Sequence, residues 1–228
     1  MLHIVATPIG NLSDISNRGL DTLKSADLIV CEDTRVTRKL LDFYEIKKPV
    51  QSLHHHSNDA KIKSIIKDLR ADKNIAYVSD AGTPGVNDPG GKLVAAALQE
   101  NLMVSPIPGP SALTAAISVC GFPMEQFVYL GFAPAKKSRQ TFFKDVMERD
   151  EASVFFESTH RLLKTLESLF EIVQGTMNEV RPVCVAREMT KIHETIYRGT
   201  AEKVLIDIKN SSVKGESVII VAPKKYRD

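Results

Sequence analysis

The stretch NIAYVSDAGTPGVNDPGGKLVAAALQENLMVSPIPGPSALTAAISV, residues 74–119, decides the fold class of this chain. Its two short apolar runs predict strands at 74–78 and 103–107, and each run ends in a turn rich in glycine and proline. A helix is expected after each turn, at 91–100 and at 112–119. Strands that alternate with helices predict an α/β domain with a mainly parallel sheet, and the alternation extends back to residue 2. We therefore predict an N-terminal α/β domain over residues 1–119.

A different pattern follows Gly121-Phe122-Pro123. Strands are predicted at 127–132, 153–156, 183–187, 194–198 and 217–221, with helices at 138–149 and 161–173. Adjacent strands with few helices between them indicate an α+β domain with a mixed sheet. The predicted fold is therefore α/β with two domains, residues 1–119 and residues 120–228.

The composition sets limits on partners and compartment. The net charge is +2, so any surface that binds RNA must be a local patch. Cys31 and Cys184 lie in apolar runs, which predicts buried thiols in a reducing compartment. The N-terminus lacks the basic and apolar regions of a signal peptide, and no apolar run approaches the roughly 20 residues that span a bilayer. We expect a cytoplasmic protein that does not enter a membrane.

Three loops of small residues follow predicted strands: TPIGN at 7–11, SDAGTP at 79–84 and PGPSA at 108–112. Small side chains let the backbone approach a ligand, and ligands of open α/β sheets bind at the carboxyl ends of the strands. Together the loops predict a small-molecule pocket, although each loop taken alone is also compatible with an ordinary tight turn. Neither GxGxxG after the first strand nor GxxxxGK[ST] occurs, which disfavours a dinucleotide site and a P-loop.

Seven sequence blocks occur in order between residues 5 and 194: VATPIGNLSDIS, EDTRVTRKLL, VSDAGTPGVNDPG, PIPGPSALTAA, GFAPAK, ESTHRLL and VAREMTKIHE. They resemble successive blocks of the ribosomal RNA small subunit methyltransferase I family. SDAGTP and PGPSAL mark the tetrapyrrole methylase superfamily, whereas EDTR with ESTHR marks this branch. The resemblance covers essentially the whole chain.

The resemblance implies a two-domain tetrapyrrole-methylase fold, a homodimer, and S-adenosylmethionine bound in a cleft between the domains. It implies methylation of the ribose 2′-hydroxyl of a cytidine in 16S rRNA of the 30S subunit, near the decoding centre. This sequence has GVNDPG at 85–90 where the family commonly reads LISDPG, and LHHHS at 53–57 where it reads YHEHN. Family members often carry a further C-terminal helical extension that is not found here, which leaves the mode of RNA binding open.

The resemblance also implies which residues bind the cofactor. They are Pro8, Ile9, Gly10, Asp80, Ala81, Gly82, Thr83, Ser111 and Ala112. Exposed backbone groups of such loops suit the polar ends of S-adenosylmethionine, and the Asp80 carboxylate suits its ammonium group or its ribose hydroxyls. A turn cap is the alternative role for Asp80.

Methyl transfer from a sulfonium to a hydroxyl is an in-line displacement in which the protein mainly positions the two reactants. A side chain that accepts the hydroxyl proton adds about 10²–10⁴-fold in rate. Glu157, Glu32 and His54 are the candidates, and the sequence does not choose among them. A metal site at His54-His55-His56 is disfavoured, because adjacent residues of a strand point to opposite faces.

The candidate RNA contacts are basic or imidazole side chains from the branch-specific blocks and from the densest basic stretch. They are Arg35, Lys136, Arg139, His160, Arg161 and Arg187. Arginine holds phosphate by bidentate contacts. A solvated helix face is the alternative for the basic stretch, which also includes Lys137 and Lys144. For Arg35 the alternative is a helix N-terminus with acidic residues in its first turn, and surface ion pairs are the alternative for the others.

Two other functions compete with rRNA methylation. Another branch of the superfamily, a tetrapyrrole C-methyltransferase or a diphthine synthase-like enzyme, is disfavoured by the EDTR and ESTHR blocks. A catalytically silent RNA- or ribosome-binding module is disfavoured by the three intact loops.

Overall fold

The computed structural model describes residues 1–54, 59–136, 138–175, 181–211 and 213–226. The chain divides into two units, Met1–Ser111 and Ala112–Asp228. Within the described ranges, no helix combines the length and the apolar character needed to cross a membrane. Cys31, Cys120 and Cys184 are buried free thiols, and burial raises the pKa of Cys184 to about 12.

Among its described residues, the first unit has five short strands and four α-helices. The strands are β1 (Leu2–Val5), β2 (Leu28–Cys31), β3 (Val50–Ser52), β4 (Ile75–Val78) and β5 (Val104–Ile107). The helices are α1 (Asn17–Ser25), α2 (Thr34–Phe43), α3 (Asp59–Arg70) and α4 (Gly90–Gln99). All strand pairs are parallel, in the order β3-β2-β4-β1-β5. The predicted parallel α/β architecture of this part of the chain is confirmed.

Helices cover both faces of this sheet, and the alternation of side chains along β4 shows why. Ile75 and Tyr77 pack with the apolar sides of α3 and α4, whereas Ala76 and Val78 pack with those of α1 and α2. The helices that follow the neighbouring strands β1 and β4 therefore lie on opposite faces. At such a reversal the loops diverge and open a crevice at the carboxyl ends of the strands.

The second unit contains a mixed sheet. Its strands are β6 (Phe127–Phe132), β7 (Ala152–Glu157), β8 (Val183–Arg187), β9 (Thr195–Gly199) and β10 (Ser217–Val221). Its helices are α5 (Ala112–Cys120), α6 (Arg139–Glu148), α7 (Leu162–Gly175) and α8 (Ala201–Lys209). The strand order is β6-β7-β10-β8-β9, with β6 parallel to β7 and the other pairs antiparallel. The predicted mixed sheet is confirmed.

Two helices of this unit differ from the sequence-based picture. The nine-residue helix α8 was not predicted; the Thr200 hydroxyl caps it by accepting the Lys203 N–H, and Val204 and Ile208 are fully buried in the core. So short a helix owes its stability mainly to this packing. Helix α5 packs on β8, β9 and β10, which places it in the second unit. The two units divide before this helix, after Ser111, whereas the boundary predicted from the sequence lies near its C-terminal end, after residue 119.

Candidate active site

Three loops meet at the carboxyl ends of the neighbouring strands β4, β1 and β5: the β1 loop (residues 7–11), the β4 loop (79–84) and the β5 loop (108–111). Thr7 and Gly82 form a two-bond backbone bridge, with both N···O distances at 3.0 Å. The Thr83 hydroxyl donates to the Pro110 carbonyl at 2.9 Å. The structure therefore joins the three small-residue loops of the sequence into one hydrogen-bonded surface.

Gly82 allows this close approach. Its φ of +78° lies in the left-handed region, and an added Cβ would stand 3.3 Å from Ile9 Cγ2. The hydroxyl of Ser79, which directly follows β4, lies within hydrogen-bond distance of the Ala81 and Gly82 carbonyls. Gly82 is consequently buried while Asp80 and Ala81 remain exposed. The β4 loop therefore presents the Asp80 carboxylate and backbone groups above hydrogen-bonded, buried residues.

The predicted cofactor residues of the first unit all lie on this surface. Gly10 is exposed, whereas Pro8, Ile9 and Ser111 are half-buried. Ala112 is the first residue of α5 and belongs to the second unit. Binding of a cofactor by these residues stays a prediction.

An acidic edge continues along the sheet from the β4 loop to β2. The Asp80 N–H donates to Glu32 Oε1 at 3.1 Å, and the Asp33 N–H donates to Asp80 Oδ1 at 3.0 Å. These reciprocal bonds fix the ends of β2 and β4 together. Asp80 therefore has a structural role through Oδ1, while no donor within the described residues contacts Oδ2.

Arg35 extends from this edge. Its guanidinium forms a bidentate ion pair with Asp33, with Nη2 to Oδ2 at 2.6 Å and Nε to Oδ1 at 3.0 Å. The hydrogen bonds from Arg35, with a smaller contribution from the charge of His54, lower the pKa of Asp33 to about 2. The Arg35 side chain is 87% exposed. Glu32, Arg35 and His54 thus lie near one another, while His55 and His56 lie outside the described residues.

Glu157, in contrast, is enclosed in the second unit, where its side chain has no exposed surface. Oε1 accepts from Arg161 Nη2 at 2.7 Å and from the Ser158 N–H at 2.8 Å. Oε2 accepts from the Thr165 hydroxyl at 2.6 Å and contacts Arg139 Nη1 at 3.4 Å. The Ser158 hydroxyl also donates to Oε1 at 3.5 Å. A carboxylate held by five donors of its own unit has no position open to a substrate hydroxyl. We therefore do not propose Glu157 as the proton acceptor.

Arg139 and Arg187 also face inwards, and so differ from the predicted RNA contacts. Arg187 is 5% exposed and donates to the carbonyls of His193 and Lys214. Arg139 is 7% exposed. Buried guanidinium groups whose Nη atoms donate to internal acceptors are unsuited to binding phosphate, so we do not propose Arg139 and Arg187 as RNA contacts.

The remaining candidate RNA contacts retain exposed surface. Lys136 and His160 are exposed, as is Lys144. The Arg161 side chain is 26% exposed beside its ion pair. Lys137 lies outside the described residues.

Asp88 is a site-shaping residue that the sequence analysis missed. Oδ1 accepts from the Tyr77 hydroxyl at 3.1 Å and from the Gly90 N–H at 2.8 Å, and Oδ2 accepts from the Gly85 N–H. This carboxylate orders the segment between the β4 loop and α4. An aspartate just before a Pro-Gly pair at a helix start is the signal that could have identified it.

The chain is similar in sequence to known methyltransferases. Residues 1–205 match the family described as Tetrapyrrole (Corrin/Porphyrin) Methylases. The "Ribosomal RNA small subunit methyltransferase I" of Thermotoga maritima is 42% identical over 224 residues, covering 98% of this chain and 99% of that protein. The protein of the same name from Escherichia coli O157:H7 is 42% identical over 230 residues, covering 100% of this chain and 79% of that protein.

Two solved structures share the fold. A cobalt precorrin-4 methyltransferase superposes with a TM-score of 0.66 at 17% identity, over 97% of this chain and 94% of the other. A uroporphyrin-III-C-methyltransferase from Thermus thermophilus superposes with a TM-score of 0.65 at 16% identity, over 98% of this chain and 94% of the other. At these identities the likeness shows the fold alone.

Proposed function

Because this chain belongs to the tetrapyrrole methylases and, within them, to the ribosomal RNA small subunit methyltransferase I family, we propose that it transfers a methyl group from S-adenosylmethionine to the ribose 2′-hydroxyl of a cytidine in 16S rRNA. The observation that carries the proposal is the joined surface of the β1, β4 and β5 loops, with Asp80 exposed beside the Thr7–Gly82 bridge. A catalyst that acts on ribosomal subunits works in the cytoplasm.

The residues of this surface fit the cofactor. S-adenosylmethionine supplies a methyl group on a sulfonium, whose leaving group is already activated. Asp80 Oδ2 offers a negative charge to the ammonium or a hydrogen-bond acceptor to the ribose hydroxyls. The exposed backbone around Gly10 and Ala81 offers donors and acceptors. Gly82 keeps the space that a Cβ would fill against Ile9.

Proton removal from the ribose hydroxyl falls to the acidic edge. Glu32 and His54 are the two remaining candidates for the proton acceptor, because Glu157 is enclosed by its ion pairs. Glu32 Oε1 already accepts the Asp80 N–H at 3.1 Å, which orients the carboxylate towards the β4 loop. We propose that one of these two groups accepts the proton, for a contribution of about 10²–10⁴-fold.

RNA binding falls to exposed basic side chains. Arg35 projects from the acidic edge with its guanidinium oriented by Asp33, and Lys136 and His160 are exposed on the second unit. Phosphate contacts of this kind release counterions, so affinity for RNA falls as salt rises.

Two measurements test the proposal. Calorimetric titration is expected to show S-adenosylmethionine binding. After incubation of enzyme and cofactor with 30S subunits that lack the modification, mass spectrometry of nucleosides is expected to show 2′-O-methylcytidine. Cofactor binding without that nucleoside, together with methylation of a tetrapyrrole precursor, would assign the chain to another branch. Absence of cofactor binding would leave the silent RNA-binding module.

A further inference from the structure

The segment Ala133–Lys136 joins β6 to α6 and is anchored at its start, where Ala133 is buried and its N–H donates to the Phe156 carbonyl at 3.1 Å. Ala133 and Ala135 carry only methyl groups, and Pro134 has no N–H to donate. Helix α6 follows Ser138, which has a φ of +66° and makes no side-chain capping bond. Beyond Ala133, the position of this segment therefore depends on what holds its carbonyl groups.

Two guanidinium groups hold them. Arg161 Nη1 donates to the Ala133 carbonyl at 3.0 Å, and Arg139 Nη1 donates to the Pro134 carbonyl at 2.9 Å. The Arg139 N–H also donates to the Lys136 carbonyl at 3.4 Å. Two consecutive peptide groups are thus clamped by side chains that come from α6 and from the turn after β7.

Glu157 holds both guanidinium groups in turn. Each of its oxygens contacts one arginine, Oε1 with Arg161 at 2.7 Å and Oε2 with Arg139 at 3.4 Å. The Thr165 hydroxyl bridges the second pair, because it accepts from Arg139 Nη2 at 2.5 Å and donates to Oε2 at 2.6 Å. A single buried carboxylate is therefore the common partner of both clamps. Without its charge, two guanidinium groups would be left close together with their counter-ion removed.

We propose that Glu157 is a positioning residue for RNA binding. Through Arg139 and Arg161 it fixes the Ala133–Lys136 segment, so that the exposed ammonium group of Lys136 meets a backbone phosphate of the substrate. The inference rests on the proposed function and assigns Glu157 a role other than proton transfer. Lys136 lies two residues after the clamped Pro134 carbonyl, and its own carbonyl accepts the Arg139 N–H at 3.4 Å, so displacement of the clamp displaces its side chain.

The test compares Glu157→Gln with wild type in two assays. In steady-state methylation, the KM for 30S subunits is expected to rise about tenfold while kcat changes by less than about twofold, because one RNA phosphate contact is lost but the chemistry is not. In RNA binding, the slope of log K against log salt is expected to shrink by about 0.7–0.9, the value of one phosphate contact. The affinity for S-adenosylmethionine should stay unchanged.

Three variants sharpen the comparison. Glu167→Gln removes the same charge from an exposed pair with Lys209 in the same unit, and is expected to leave KM unchanged or slightly lower. Lys136→Ala should reproduce the effect of Glu157→Gln on KM and on the salt slope. The double variant Glu157→Gln/Lys136→Ala should bind RNA no more weakly than either single variant, because both substitutions remove the same phosphate contact.

The direction of the effect separates positioning from long-range charge. Loss of a negative charge strengthens RNA binding by electrostatics alone, so weaker binding by Glu157→Gln is evidence for the clamp.

Several results would overturn the proposal. One is a fall in kcat of about 10²–10⁴-fold with loss of the acidic limb of the pH–rate profile, which would make Glu157 the proton acceptor. Another is a folded Glu157→Gln variant with unchanged KM and salt slope. If Glu157→Gln does not fold, the surface variant Lys136→Ala decides, and an unchanged KM and salt slope there refutes the proposal. Failure of the proposed function is distinguishable, because wild type would then produce no 2′-O-methylcytidine while the salt slopes still test the clamp.

Discussion

Three glycines allow the role of the β4 loop to be separated from backbone strain in general. Gly82 has a φ of +78° and little space for a Cβ, whereas Gly85 has a φ of +93° and open space around it. Gly91 has neither a positive φ nor a neighbour within 4 Å, and lies in α4. Substitution of each by alanine therefore adds one physical effect at a time.

The expected changes in the free energy of unfolding follow from these environments. Gly91→Ala should stabilise by about 0.5–1 kcal/mol, because alanine favours a helix. Gly85→Ala should destabilise by about 1–2 kcal/mol, the cost of a side chain in the left-handed region. Gly82→Ala adds to that cost a Cβ placed 3.3 Å from Ile9 Cγ2, for a total of about 2–3 kcal/mol.

Cofactor affinity should respond differently from stability. Ile9 and the Thr7–Gly82 bridge must shift by a few tenths of an ångström to admit the new methyl group. For Gly82→Ala we therefore expect an S-adenosylmethionine Kd raised about tenfold, equal to about 1.4 kcal/mol. Gly85→Ala and Gly91→Ala should bind as wild type does. Denaturant unfolding and calorimetric titration provide the two measurements. A folded Gly82→Ala protein with wild-type affinity would refute the assignment of the β4 loop to the cofactor.

Three further predictions concern stability, protonation and assembly. Arg181 is buried, and burial lowers its pKa to about 10; its guanidinium donates to carbonyls of α6, of the turn after α6 and of Ala222. Arg181→Met should lower the free energy of unfolding by about 3–5 kcal/mol, because those carbonyls lose their donor. An unchanged denaturation midpoint would contradict this prediction. Arg35 lowers the pKa of the Asp33 carboxyl from an ordinary 3.8 to about 2. The ionised carboxylate therefore stabilises the fold at pH values above its ordinary pKa, and this contribution is lost as the pH falls through the lowered value. A carbon-detected NMR titration should measure the lowered pKa, and the same pKa in Arg35→Gln would refute the ion pair. Light scattering should show a homodimer, and a mass near 25.2 kDa at micromolar concentration would count against it.

The local features of the chain were well predicted from its sequence, because they depend on neighbours along the chain. The apolar runs that end at Val5, Val78 and Ile107 form the predicted strands of a parallel sheet. The loops after them contain the small residues that a close backbone approach requires, and Gly82 shows that requirement directly. Helix α8 escaped prediction because its stability comes from burial of one side against the core rather than from its own composition.

The sequence by itself determined the two fold classes, the order of the strands and helices along most of the chain, and the three loops that would lie at one sheet edge. Only the tertiary structure decided which charged side chains face solvent. Arg139 meets Glu157 across 18 positions of the chain, and Arg187 meets the Lys214 carbonyl across 27, so neither pairing leaves a local trace. An arginine beside a lysine reads as a basic surface in sequence, yet a charge can be buried wherever distant residues supply enough acceptors to replace its water. That is why Glu157 and Arg139 proved to be internal partners, while Arg35 and Lys136 remained at the surface.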